Sequence, residues 1–78
     1  MTQTKNWQIE KIINAARELN INPNSEIYST SERIAAAFVL DEAGILPDNY
    51  SMIDAWQRLG EWQHYVVEVR KSHMHKIF

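Results

Sequence analysis

Apolar residues recur along this chain with a helical rather than a strand-like rhythm. Over roughly residues 5–20, Ile9, Ile12, Ile13, Ala16 and Leu19 fall at helical spacing, while Glu10, Lys11, Arg17 and Glu18 lie largely off that stripe. Such spacing sets the apolar side chains on one face of an amphipathic helix. Trp7 lies off the stripe and is expected to cover an open end of the fold or to stand exposed. The stripe stops at "NINPNS", where asparagines and Pro23 favour turns.

The next segment opens with a start signal. Ser29 and Glu32 have capping-box spacing, in which the hydroxyl accepts from a free backbone N–H and the carboxylate reaches back to the cap. Residues 34–40 are all apolar, so this helix is expected at the centre, buried on most sides. Three consecutive alanines, Ala35, Ala36 and Ala37, would let neighbouring helices come close. Gly44 is the natural residue to stop the helix in a left-handed conformation. "ILPDNY" follows as a turn, with Pro47 suited to its second position.

A third segment repeats the cap spacing at Ser51 and Asp54. Met52, Ala55, Leu59, Trp62, Val66 and Val69 then follow alternating steps of three and four. This stripe runs straight across Gly60, which favours one long helix, continuous or kinked there. A break into two helices is the alternative. Trp56 and Trp62 face about 120° apart on a straight helix, so they form no single aromatic platform. "YVVEV" also alternates and is β-branched, but no partner strand exists elsewhere in the chain, so it is read as helix.

The pattern predicts an all-α protein, a small three- or four-helix bundle. Residues 1–78 form a single helical domain, with 1–4 and 73–78 expected to fray. The expected core is Ile9, Ile12, Ile13, Ala16, Leu19, Ile34, Ala37, Phe38, Leu40, Leu59, Trp62, Val66 and Val69.

Composition sharpens this reading. Seventy-eight residues suffice for one domain with a marginal core. With 45% apolar residues the chain is too hydrophobic for disorder. There is no cysteine, hence no disulfide, and nothing resembles a signal peptide or a membrane span. A cytoplasmic setting is expected. Packing must hold the fold, with self-association as a homodimer a plausible helper.

Candidate chemistry is thin. His73 and His75 are two apart, with His64 further back, a spacing that no single helix face can use for a metal. Structural zinc needs four ligands. No phosphate loop and no nucleophile elbow is present, and Ser29 and Ser51 already serve as caps. Neither a metal nor a cofactor is expected, nor an enzyme.

Charge is more informative. The formal net charge is −2, from eight Lys and Arg against ten Asp and Glu. Residues 31–60 carry Glu32, Asp41, Glu42, Asp48 and Asp54 against only Arg33 and Arg58. Asp41 and Glu42 are expected in the last turn of the second helix, where the helix dipole disfavours carboxylates. They could pair with Arg33 or Arg58, or face a basic partner. Trp7, Tyr50 and Trp56 are spare aromatics of the kind that anchor interfaces. The expected function is a small non-enzymatic module, an accessory or inhibitory regulator that docks on another protein. Trp7, Asp41, Glu42, Asp48, Tyr50, Asp54 and Trp56 are its candidate contacts. The alternative is a helix-turn-helix-like DNA-binding regulator, against which stand the long "GILPDNY" link and Asp54 at the start of the would-be recognition helix.

Overall fold

The computed structural model describes residues 7–78, in which the helical rhythm is realised as four helices. These are α1 (Trp7–Ile21), α2 (Thr30–Leu40), α3 (Met52–Leu59) and α4 (Trp62–Ser72), with short 3-10 turns at Ala43–Ile45 and Met74–Lys76. No strand occurs among the described residues, and "YVVEV" lies within α4. No helix among them is long and apolar enough to cross a membrane. Of the ends expected to fray, residues 1–4 lie outside the described residues. At the other end Met74 and Ile77 pack against the core.

α1 buries Ile12, Ile13, Ala15, Ala16 and Leu19, as its stripe requires. Lys11 Nζ sits 3.1 Å from Glu32 Oε2 near the start of α2, while Leu19 and Asn20 share a concavity with Leu40 near its end. The two helices therefore run in the same general sense, and the loop between them returns the chain. Arg33 fixes that loop. Its guanidinium donates to the carbonyl of Pro23 at 2.6 Å and to that of Ser25.

α2 starts with the full capping box. Glu32 N donates to Ser29 Oγ at 3.2 Å, and Ser29 N donates to Glu32 Oε1 at 2.9 Å. The helix packs against α1, α3 and α4, which makes it the central element. Its stop differs from the expected one. Asp41, not Gly44, takes the left-handed conformation at φ 57°, and its N–H turns back to the carbonyls of Ala37 and Phe38. Aspartate tolerates this region better than most side chains. Gly44 lies in the following 3-10 turn without a positive φ. Asp41 and Glu42 thus stand just beyond the last turn of α2, not within it.

α3 is capped by Ser51, whose Oγ accepts from Asp54 N at 3.1 Å. It ends at Leu59, because Gly60 adopts φ 57° and ψ −126°, which no helix accommodates. The expectation of one continuous helix is corrected here: α3 and α4 are separate. Gln63 Nε2 donates to the Trp56 carbonyl at 2.7 Å, satisfying one acceptor at the end of α3. Arg70 Nη1 donates to the Phe38 carbonyl at 2.8 Å and ties α4 to the end of α2.

The core holds Ile12, Ile13, Ala15, Ala16, Leu19, Ile34, Ala35, Ala36, Ala37, Val39, Ile45, Ala55, Leu59, Val66 and Val69. No polar or charged residue among the described residues is buried. Six of these fifteen are alanine, whose small side chains let helices approach closely. The larger side chains assigned to the interior from sequence, Ile9, Phe38, Leu40 and Trp62, instead rim the core half-buried. Met52, the first residue of α3, leaves the seam at 46% exposed.

Candidate functional site

Asp41, Glu42, Asp48 and Asp54 are all exposed, so charge of one sign reaches the surface at the ends of α2 and α3 and in the link between them. The expected pairing with Arg33 or Arg58 does not form. Arg33 is committed to the loop carbonyls, and the ion pairs among the described residues are Lys11 with Glu32 and a long one, 3.9 Å, between His73 and Glu68.

Residues 43–47 form a ridge with a concavity on either side. One, of about 580 Å³, is bordered by Asn24, Glu26, Tyr28, Arg33, Gly44 and Asp48 among others. The other, of about 370 Å³, is bordered by Leu19, Asn20, Pro23, Leu40, Glu42 and Gly44 among others. Glu42 therefore borders one hollow and Asp48 the other, while exposed Asp41, the C-cap of α2, borders neither. Asn49, at φ 78°, turns the chain sharply after Asp48. Glu26 joins this group across the first hollow. Nothing in the sequence links it to Asp48, since only the returning loop after α1 brings the two together.

Asp54 borders neither hollow. It occupies the first turn of α3, where a carboxylate suits the helix dipole. Trp56 packs edge-on against Phe38, ring centroids 5.1 Å apart at 70°, and rims the core. Tyr50 is half-buried against the same core, so the exposed anchor expected there is absent. Trp7 is 49% exposed, with Lys11 Nζ 6.0 Å from its ring centre. The structure thus sets Glu42 and Asp48 at hollows that share Gly44, adds Glu26 beside Asp48, leaves Asp41 next to Glu42 by sequence alone, and puts Trp7, Tyr50, Asp54 and Trp56 at neither hollow.

Tyr28 lies at the edge of the first hollow. Desolvation, then the nearby carboxylates of Glu18 and Glu32, raise its pKa above the ordinary phenol value. It stays neutral and can donate a hydrogen bond. No cluster of three or more metal-ligating side chains exists among the described residues. His64 stacks obliquely on Tyr65, centroids 4.2 Å apart. The carboxylates of Glu26 and Asp48 at the first hollow, beside the guanidinium of Arg33, and of Glu42 at the second can attract ammonium and guanidinium groups. Residues 41–51 stand between α2 and α3, far more than the turn of a helix-turn-helix unit. No family model, curated protein or solved structure matches the chain.

Proposed function

We propose that this domain is a non-enzymatic docking module that engages a basic surface on another protein and modulates that protein. The observation that carries the reading is the acidic rim of the two hollows beside residues 43–47, where Glu26 and Asp48 border one and Glu42 the other, all exposed and, like Asp41 next to Glu42 in sequence, in no ion pair among the described residues. Carboxylates held this way steer and orient a positively charged partner. The two hollows offer seats for lysine or arginine side chains. A cysteine-free chain suits a reducing cytoplasm, where we place the encounter.

Quantitative affinity capture from the native host tests the reading, with wild type and the Glu42→Lys/Asp48→Lys variant as parallel baits. A partner held by wild type, released by moderate salt and lost from the variant supports it. A partner that binds both baits equally places the contact elsewhere. Salt-sensitive binding of the purified chain to duplex DNA would replace this reading with a nucleic-acid one.

A further inference from the structure

The outer face of α1 carries a second pattern, distinct from its buried stripe and from the acidic ridge. Trp7, Asn14 and Ile21 recur at intervals of seven, close to two helical turns, and so stand in one line. Glu10 and Arg17 flank this line on one side, Lys11 and Glu18 on the other. Trp7 is 49% and Ile21 82% exposed, and Ile27, in the loop that follows, is 78% exposed. Beside the second half of the line lies a groove of about 300 Å³, bordered by Asn14, Arg17, Glu18, Ile21 and Tyr28.

We propose that a second copy of this chain docks antiparallel on this face, with Trp7 of each copy seated in the groove of the other. A two-fold axis through Asn14 generates the arrangement. Trp7 and Ile21 lie equally far from that axis, about 10 Å along the helix, so the rotation sets each against the other. The same rotation keeps each flank of the line on its own side. Glu10 then faces Arg17 of the second copy, and Lys11, already bridged to Glu32, faces Glu18. Both pairs are opposite in sign, so the face is complementary to itself. Asn14 meets its own copy on the axis, where paired amides fix register. Arg17 and Tyr28 at the groove edge offer an indole a cation and an aromatic edge. A parallel pairing would instead set Trp7 against Trp7 and leave both grooves empty. The footprint is little more than one helix long, at the low end of specific interfaces, so the dimer is weak, on the order of micromolar or above.

Sedimentation equilibrium of the full chain, from micromolar to millimolar concentration, tests this. A monomer–dimer equilibrium is expected. W7A changes an exposed residue, keeps the helical circular dichroism, and weakens association by about tenfold or more. E10R and R17E each weaken it, because like charges then face one another twice across the axis. The E10R/R17E double variant regains it, since the pair re-forms with signs exchanged. A chain that stays monomeric at millimolar concentration overturns the proposal. So does a dimer indifferent to W7A or to the single reversals. The Glu42→Lys/Asp48→Lys variant, altered on the ridge, leaves self-association unchanged, which keeps this test separate from that of the docking role.

Discussion

Ser29 and Glu32 start a helix by exchanging hydrogen bonds that the backbone there cannot make for itself. Ser29→Ala removes one of them and should lower stability by about 1 kcal/mol, read from the urea midpoint. The Glu32 carboxyl adds a pH signature. Partial burial opposes its ionisation, but the Ser29 N–H and the Lys11 ammonium outweigh that and hold its pKa below the ordinary value. The unfolded chain thus binds the proton more tightly than the folded one. The stabilisation is complete above the unfolded carboxylate range, near about pH 4, and is lost as pH falls through the folded value. Acid titration of stability should fall more steeply in wild type than in Glu32→Gln; equal slopes would remove Glu32 from the account. Trp56 belongs to the same scale. Its edge-on contact with Phe38 makes it part of the fold, so Trp56→Ala should cost about 2 kcal/mol in the same assay. An unchanged midpoint would return it to the surface as a binding residue.

Helix starts were legible in the sequence because a cap is a local device. Ser29 and Ser51 need only the residues three positions on. Helix stops were less so. The left-handed position after α2 went to Asp41 rather than to the glycine three residues later, because aspartate also tolerates that conformation and so competes with glycine for it. The stripe across Gly60 misled for a related reason. Ala55, Leu59, Val66 and Val69 are all buried, as a continuous helix would bury them. Two short helices aimed at one core preserve the same rhythm, and only the backbone at Gly60 separates the cases. Gly60→Ala should therefore cost about 1–2 kcal/mol. An added Cβ there meets nothing within 4 Å, so the cost is conformational alone. Gly44 is equally open but has no positive φ. Gly44→Ala should be neutral or stabilising by up to about 1 kcal/mol. Equal destabilisation by both, in parallel urea titrations, would contradict the assignment of the break to Gly60.

At the scale of the whole molecule, the single chain already has the dimensions of a compact fold. The radius of gyration is 11.7 Å, against about 11.5 Å expected for a compact chain of this length. The accessible surface is 5007 Å², against about 4,900 Å² expected from the mass. On those dimensions, dimerisation through α1 is expected to add to the fold rather than to be a condition of it. The thermal midpoint should rise modestly with protein concentration, while dilute samples still melt in one cooperative step. Loss of that step on dilution would make association obligatory. The candidate site was half legible. The acidic bias of residues 31–60 is plain in the sequence, and two of its carboxylates, Glu42 and Asp48, border the hollows beside residues 43–47. Glu26 was not legible, because it arrives through a loop whose path depends on the grip of Arg33. Trp56 and Tyr50 read as spare aromatics because a core built so largely of alanine sends large rings to its rim.

Three long side chains, Arg33, Gln63 and Arg70, hold distant segments by donating to main-chain carbonyls of Pro23 and Ser25, Trp56 and Phe38. An acceptor of this kind is common to all amino acids. Replacing the residue that owns the carbonyl leaves the acceptor in place, whereas replacing the donor abolishes the tie. A saturation mutagenesis map of this protein would accordingly be lopsided at the loop tether, with intolerance at Arg33 and near silence at Ser25, whereas Phe38 and Trp56 stay sensitive through their packing alone. Covariation between the two ends would reveal none of these links, even though they order the chain.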